Sequence, residues 1–337
     1  MDIFELLTLT VNRKASDLHL SSGITPMIRV DGVLQPVPDT KPLSATETQK
    51  FIEQVMTEGQ KKSFKEQLEI DFAYATQNQK NRFRVNAFTQ QRGPSAAFRP
   101  VPSEAPTLQE LGLPPIVKEF CHLNNGIILV TGPTGSGKST TLAAMINYIN
   151  ENMSDHIITI EDPVEFTHTC KKCLINQREI NKDTLSFQAA LRSALREDPD
   201  IILVGELRDL ETIRLALTAA ETGHLVFATL HTNSAAKSID RVIDVFPAGE
   251  KDMVRSMFSE SLRGIVAQTL LPRISGGRVA ALEILVSTPA IRNLIRENKV
   301  PQIYSAIQSG QSFGMQTLEQ NVQKLLKDKV IASLGQT

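Results

Sequence analysis

A glycine-rich segment between a short apolar run and a helical pattern limits what this chain can fold into more than any other feature. The run GIILVT, residues 126–131, is followed by GPTGSGKST, residues 132–140, and by the helical pattern TTLAAMINYIN. Glycines allow a tight turn whose backbone N–H groups can surround a phosphate, and the N-terminus of the helix adds a partial positive charge. The segment therefore predicts a P-loop at the end of a buried strand.

The residues of this segment are predicted to hold a nucleotide, with ATP and Mg²⁺ as cofactors. Lys138 would reach the β- and γ-phosphates, and Ser139 offers the hydroxyl that coordinates Mg²⁺. A glycine-rich turn that only caps a helix is the alternative, but the strand, the spacing, the lysine and the serine are all in register. The predicted nucleotide contacts are Gly132, Pro133, Thr134, Gly135, Ser136, Gly137, Lys138, Ser139 and Thr140.

Further candidate site residues follow other apolar runs. Glu161 and Asp162 end IITIED, Glu206 follows DIILVG, and LVFATL is followed by His231. Because the carboxyl ends of parallel strands share one sheet edge, we expect these side chains to converge on the γ-phosphate. Glu206 could orient or deprotonate the attacking water, and His231 could sense the phosphate. Glu161, Asp162 or Glu206 could hold Mg²⁺ through water, although each carboxylate could instead cap a loop. His224 in ETGHLV could contact a phosphate of the nucleotide, or could equally be a buried histidine satisfied by the backbone.

The length of the chain and the distribution of apolar and polar residues along it predict two domains. Its 337 residues exceed the roughly 150 residues of a typical domain about twofold. Residues 1–100 mix short strands and helices and indicate a small α+β domain. The proline-rich residues 101–115 are the predicted linker. In residues 116–337, apolar runs alternate with helical stretches, which is typical of a doubly wound α/β sheet, and the part from about 247 onward is predicted to be mostly helical.

Charge and composition exclude several classes of protein. Lys and Arg number 36 against 37 Asp and Glu, so no global field would hold the chain on nucleic acid or an anionic bilayer. No apolar run approaches the roughly 18 residues of a membrane span. Acidic residues stand near the N-terminus where a signal peptide is basic, and three cysteines fit a reducing compartment. We therefore expect a cytoplasmic protein, without direct membrane insertion or a nucleic-acid partner.

Four ordered motifs give the chain a specific resemblance to a known family. GPTGSGKST is followed by ITIEDPVEF, by LREDPDIILVGELRD and by TGHLVFATLHTNSA. This combination resembles the secretion ATPase superfamily of type II secretion and type IV pilus motors. The segments SDLHLS, RFRVNAF, AIRNLIRE and GMQTLEQ extend the similarity, over nearly the whole chain, to the retraction ATPases of type IV pili.

The resemblance implies a PAS-like N-terminal domain followed by a RecA-like ATPase domain with a helical C-terminal part, assembled as a homo-hexamer. Such rings lie at the inner face of the cytoplasmic membrane beneath an inner-membrane platform protein and use ATP hydrolysis to depolymerise pili during twitching motility. A paralogous retraction ATPase is a further candidate partner. The implied boxes are Walker A at 132–140, the acidic box at Glu161 and Asp162, the Walker B glutamate Glu206, the histidine box at His224 and His231, and the retraction-associated segment at 290–297.

Two arginines look like the family's N-terminal-domain arginines that approach the nucleotide. RecA-like sites are usually completed across a subunit boundary, because an arginine supplied in trans neutralises transition-state charge. Arg84 in RFRVNAF and Arg99 in AAFRP match those positions, with Arg82 and Arg92 as alternatives. Solvent-exposed arginines on edge strands are the structural alternative.

A zinc site is not expected at the cysteines. Cys170 and Cys173 form a single CxxC pair, whereas structural zinc takes four nitrogen or sulfur ligands. Extension-type ATPases of the superfamily often carry a four-cysteine zinc insertion, so the lone pair favours the retraction branch.

The leading hypothesis is a ring-shaped ATPase that drives pilus retraction. The alternatives are a non-motor P-loop enzyme, such as a small-molecule kinase, and a nucleotide-controlled scaffold that assists another pilus or secretion ATPase. The presence of Lys138, Ser139 and Glu206 argues against a scaffold without turnover. A nucleic-acid translocase is disfavoured by the near-neutral charge and by the absence of tryptophan.

Overall fold

The chain folds into two compact units, Met1–Ser103 and Glu104–Thr337. The computed structural model describes residues 1–30, 32–76, 81–101 and 105–332. The predicted linker, residues 101–115, includes residues 102–104, which lie outside the described part. Beyond them, Leu108 and Leu113 pack against the core of the second unit.

Within its described residues, the first unit is an antiparallel sheet with three helices. Its six strands have the order β3-β2-β1-β6-β5-β4. Buried and exposed residues alternate along the central strands, as the two-residue period of a strand requires; on β5 the buried Phe83 and Val85 flank the exposed Arg84. The elements are α1 (Ile3–Asn12), β1 (Asp17–Ser21), β2 (Met27–Val30), β3 (Val33–Pro36), α2 (Ala45–Glu53), α3 (Glu58–Gln67), β4 (Glu69–Ala75), β5 (Arg82–Gln90) and β6 (Gly93–Val101).

The second unit is a largely parallel sheet between two layers of helices. The seven strands found between residues 105 and 332 have the order β13-β12-β7-β11-β10-β8-β9, and β13 pairs antiparallel with β12. The elements are α4 (Pro115–Phe120), β7 (Gly126–Thr131), α5 (Lys138–Asn152), β8 (His156–Glu161), β9 (Leu174–Glu179), α6 (Phe187–Ala194), β10 (Ile201–Val204), α7 (Leu210–Glu221), β11 (Leu225–Leu230), α8 (Ala235–Asp244), α9 (Lys251–Ser261), β12 (Leu262–Pro272), β13 (Arg278–Val286), α10 (Pro289–Arg296), α11 (Ile303–Ser309) and α12 (Leu318–Lys327).

Both faces of the second sheet are buried, which explains its uninterrupted apolar strands. On β7, Ile127 and Leu129 belong to the core cluster on one face, while Ile128 and Val130 belong to the cluster on the other face. Helices must therefore cover both sides of the sheet. None of the helices in the described part has both the length and the apolar character needed to cross a bilayer.

The prediction that the part after residue 247 is mostly helical is incomplete. Helices α9 to α12 are present, but β12 and β13 add strands of 11 and 9 residues to the sheet. The run LRGIVAQTLLP is mostly apolar, and periodicity alone does not separate a buried strand from a buried helix. This misassignment matters because β12 lies beside the P-loop strand β7.

Gly264 on β12 provides a test of how closely the sheet packs against helix α4, which carries Phe120. A Cβ atom at this position would lie 2.7 Å from Cε1 of the Phe120 ring, far inside normal contact. We expect Gly264→Ala to lower the free energy of unfolding by about 1–3 kcal/mol through overpacking, measured by urea unfolding. Phe120→Leu should recover part of the loss in the double variant. Gly249→Ala is the control, since nothing lies within 4 Å of a Cβ there; equal effects at both glycines would contradict the packing argument.

Candidate active site

The P-loop connects the buried strand β7 to helix α5. Positive φ angles of 77° at Gly135 and 87° at Gly137 turn the chain, which glycine adopts at low cost. Gly137 is the N-cap of α5 and makes no side-chain cap bond. The first N–H groups of the helix are therefore available to donate hydrogen bonds to an anion at the P-loop.

Lys138 folds back over this loop. Its ammonium nitrogen donates to the carbonyl oxygens of Gly132 at 2.7 Å and Pro133 at 3.1 Å. Burial lowers the pKa of Lys138, and the nearby carboxylates of Glu206 and Glu165 oppose that change. The predicted phosphate-binding lysine and the predicted Walker B glutamate thus lie at the same place.

Four neighbouring parallel strands end along the edge of the sheet that carries the P-loop. In register, Thr131 of β7 pairs with Leu230 of β11, and β11 is followed across the sheet by β10 and β8. Glu161 ends β8, Glu206 and His231 stand within two residues of the ends of β10 and β11, and Lys138 begins α5 after the P-loop. The structure therefore brings these predicted residues to one edge, as expected for this topology.

Glu206 and His231 are in direct contact. The Nε2 atom of His231 lies 3.0 Å from a carboxylate oxygen of Glu206, and the other oxygen accepts from Nε of Arg208 at 2.7 Å. The Glu206 side chain is only 18% exposed, whereas His231 and Arg208 are exposed. The sequence predicted Glu206 and His231 but not their contact, and it missed Arg208 although this residue stands two positions after the glutamate.

The acidic box divides into a buried and an exposed carboxylate. Burial raises the pKa of Glu161, although its carboxylate accepts from Oγ1 of Thr159 at 2.7 Å and from Nε2 of Gln177 at 3.3 Å. Asp162 is exposed. The side chain of Asp162 is therefore the freer of the two to meet a hydrated cation.

His224 lies at the opposite edge of the sheet. It precedes β11, and its backbone oxygen accepts from N–H of Gly126 at the start of β7. The six residues of β11 span about 20 Å at roughly 3.3 Å each. The ring Nδ1 lies 3.0 Å from the oxygen of Ala219 and 3.3 Å from the hydroxyl of Thr222. The structure thus does not bring His224 to the P-loop of its own chain, and the ring has the local partners that the sequence left open as an alternative.

The predicted arginines of the first unit lie opposite each other on two neighbouring strands. Arg84 of β5 is the cross-strand partner of Arg99 on β6. The guanidinium of Arg99 binds the buried Asp17 through Nη2 at 2.9 Å and Nε at 3.0 Å, whereas no ion pair of Arg84 occurs in the described part of the chain. Of the two alternatives, Arg92 donates to the oxygen of Ser22 at 3.1 Å, and Arg82 lies opposite Val101.

One polar residue under the P-loop was missed by the sequence. Gln268 on β12 is 4% exposed and contacts both the P-loop and α5. Its only sequence signal is a single amide in an apolar run whose strand character was itself missed.

The two cysteines of the CxxC pair differ in exposure. Cys170 is exposed and Cys173 is buried, where its sulfur accepts from N–H of Asp155 at 3.4 Å. Within the described ranges, no three His, Cys, Asp or Glu side chains are grouped so that they could hold a metal ion.

Comparisons with known proteins agree over almost the whole chain. The family model described as Type II/IV secretion system protein matches residues 2–276. The type IV pilus retractation ATPase PilT of Pseudomonas aeruginosa is 60% identical over 332 residues, covering 98% of this chain and 96% of its own. The twitching motility protein of Neisseria gonorrhoeae is 58% identical over 326 residues, covering 95% of this chain and 87% of its own.

A solved structure resembles both units. The crystal structure of the pilus retraction motor PilT with bound ADP superimposes with a TM-score of 0.92 at 49% identity, covering 99% of this chain and 95% of that chain. The predicted fold class, a small α+β N-terminal domain followed by a P-loop ATPase domain, is confirmed by this match and by the family model.

The exposure of the three cysteines predicts which thiols react. Burial raises the pKa of the Cys121 thiol to about 12 and also raises that of Cys173, so both stay protonated near neutral pH, and the thiolate is the nucleophile. We expect a disulfide reagent such as DTNB, at about pH 8, to label one thiol quickly in the native protein. Cys170→Ser should abolish that fast phase, and Cys173→Ser should leave it intact. Fast labelling of Cys121 would contradict the burial shown.

Proposed function

We infer the function of this chain from one premise: the chain belongs to the family of type II/IV secretion system proteins. It is an ATPase of the type IV pilus retraction kind, which hydrolyses ATP to ADP and phosphate and couples that reaction to pilus retraction and twitching motility. The observation that carries the conclusion is the convergence of Lys138, Glu206 and His231 at one sheet edge beside the P-loop.

The P-loop residues 132–140 hold the phosphates of the nucleotide in this proposal. The ammonium of Lys138 already lies inside the loop on two carbonyl oxygens. Phosphate oxygens carry full charge and are stronger acceptors than carbonyls, so a bound nucleotide would draw the ammonium toward the β- and γ-phosphates. Binding thus exchanges two internal hydrogen bonds of Lys138 for charge-assisted ones.

Glu206 orients the attacking water and accepts its proton. A general base must lie within hydrogen-bond reach of the proton that it takes, and Glu206 is held beside Lys138 by two contacts, with His231 and with Arg208. A γ-phosphate would compete with Glu206 for the imidazole of His231. The state of the phosphate would then determine whether the carboxylate is free to face water, which supports His231 as the sensing residue. Glu161, at the end of the neighbouring strand β8, supports the catalytic role of Glu206 in this proposal.

Magnesium fits the residues at this edge. Mg²⁺ keeps several waters and is usually bound through one or two protein groups together with phosphate oxygens, not by a protein cage. Ser139 presents a half-buried hydroxyl in the first turn of α5, and Asp162 is exposed at the end of β8. These residues, with Glu206 through water, would hold the ion, which when bound neutralises charge on the β- and γ-oxygens.

A second copy of the chain completes the site. Like charges directly opposite on neighbouring strands destabilise a sheet, and Asp17 relieves this repulsion for Arg99 only. An anion would relieve it for Arg84. We propose that the triphosphate bound to the next subunit is that anion, so that Arg84 and Arg99 act in trans within a homo-hexameric ring.

The ring acts in the cytoplasm at the inner face of the cytoplasmic membrane in this proposal. It would meet a platform protein of the pilus machinery there, with a paralogous retraction ATPase as a second partner. The segment 290–297, which includes most of α10, carries the half-buried Arg292 and the exposed Arg296, both ion-paired with Glu260, and is a candidate for transmitting force. Neither nucleic acid nor zinc enters this function.

The roles of Lys138 and Glu206 can be separated by binding and turnover. Lys138→Ala should raise the Kd for ATP about 10- to 100-fold, because hydrogen bonds to charged groups contribute roughly 1.5–3 kcal/mol. Glu206→Gln should bind ATP normally but release phosphate about 10²- to 10⁴-fold more slowly. Glu221→Gln, an exposed carboxylate on the opposite sheet edge, is the control. Normal turnover by Glu206→Gln would show that another group activates water.

The trans arrangement of the arginines can be tested by mixing subunits. We expect the double variant Arg84→Ala/Arg99→Ala to lose turnover by up to ~10³- to 10⁵-fold, the range for arginines supplied in trans, while Arg13→Ala in the same unit does not. Lys138→Ala subunits should also be inactive at an ATP concentration near the Kd of the unchanged chain, because their own Kd is expected to be higher. Co-assembled mixtures should regain activity, because some interfaces then combine an intact P-loop with intact arginines. Mixtures that stay as inactive as their components would exclude action across subunits.

A further inference from the structure

Gln268 lies where β12 passes beneath the start of the P-loop. Strands β12 and β7 run parallel, and their last register pair is Ala267 with Thr131. Gln268 is the next residue of β12, at the level where the chain leaves the neighbouring strand β7 to form the P-loop. Its side chain is 4% exposed, and an amide buried to this degree is retained in an apolar strand only when its hydrogen bonds are satisfied.

The carboxamide of Gln268 joins the loop to the helix behind it. Its Nε2 donates to the backbone oxygen of Ser136 at 2.6 Å, and its Oε1 accepts from Oγ1 of Thr141 at 2.9 Å. Because a carbonyl oxygen only accepts, the amide nitrogen must face Ser136 and the hydroxyl of Thr141 must donate. The chemistry of the two partners therefore fixes the orientation of the amide.

This orientation determines where the next N–H group points. The peptide between Ser136 and Gly137 is trans, so the N–H of Gly137 points away from the direction of the Ser136 carbonyl. With that carbonyl held against Gln268, the N–H of Gly137 points away from Gln268. An amide in this direction is one of those that surround phosphate in a P-loop.

Two glycines of the loop allow the strand to come this close. A Cβ atom at Gly132 would collide with the backbone oxygen of Gln268 and lie 2.5 Å from Oγ of Ser136. A Cβ atom at Gly137 would lie 3.1 Å from Nε2 of Gln268. Part of the glycine requirement of the motif therefore comes from its contact with β12 and not from the nucleotide.

We infer that Gln268 is a positioning residue of the nucleotide site: it locks the peptide between Ser136 and Gly137 with its N–H toward the phosphate, without touching the nucleotide itself. The inference rests on the proposed function, since it takes the P-loop as the site that binds phosphate. It adds a side chain from outside the motif to the machinery that shapes the loop.

Two variants separate hydrogen bonding from packing. Gln268→Glu keeps the shape but, when ionised, presents an acceptor to the Ser136 oxygen; protonation restores a donor. We expect its Kd for ADP to exceed that of the unchanged chain roughly tenfold at about pH 8, and the ratio to narrow toward about pH 6, because burial raises the pKa of a carboxyl group. Gln268→Met has similar volume and no hydrogen bonds, so its Kd should be raised roughly tenfold at both pH values.

Controls distinguish this inference from a general effect on stability. Thr269→Val changes the next residue of β12, whose side chain points to the other face, and should leave the Kd unchanged. The melting temperature without nucleotide is measured for every variant. If both Gln268 variants bind ADP within about twofold of the unchanged chain, whatever their melting temperatures, the positioning role is wrong. If Gln268→Glu does not fold, Gln268→Met decides alone. Normal ADP binding by Lys138→Ala would instead refute the P-loop site itself.

Discussion

The sheet edge that carries the P-loop, Glu206 and His231 depends on the parallel register of four strands. Because β7, β11, β10 and β8 run in the same direction and pair in sequence across the sheet, the residues after each of them emerge at one edge. A shift of one residue in any pair would turn the following side chains to the other face. The register is fixed by apolar side chains buried on both faces, such as Ile127 and Ile128, so the packing of the core sets the distance between Glu206 and His231.

The charged groups at this edge lie close to one another. Lys138 has lost solvent, which lowers its pKa, and two carboxylates compensate in part, while Glu206 is held by Arg208 and His231. Each charged group thus has a partner within the chain that a phosphate or a water could replace. Under the proposed function such a site is preorganised, because nucleotide binding would exchange existing contacts and would not have to order free side chains.

The sequence predicts what is local in the chain and misses what is close only in space. The P-loop, Glu206 and His231 follow from short patterns whose geometry is set by the strand–turn–helix unit. Gln268 could not be found in this way, because its contact with Ser136 joins residues 132 positions apart. His224 shows the converse: its motif lies beside that of His231, but the length of β11 carries the two histidines to opposite edges of the sheet.

The two arginines of the first unit are not equivalent, although the sequence treats them alike. Arg99 uses Nε and one terminal nitrogen for the buried Asp17, which fixes the direction of its remaining donors before any anion arrives. Arg84, directly across the strands, is exposed and lies next to that fixed charge. A guanidinium already held in place loses little rotamer freedom on binding, whereas a mobile one must be ordered. Under the proposed action in trans, Arg99 would therefore present its donors to the phosphate in a fixed direction, and Arg84 would be the charge that moves to meet the phosphate. Loss of Asp17 should then weaken the contribution of Arg99 and leave that of Arg84.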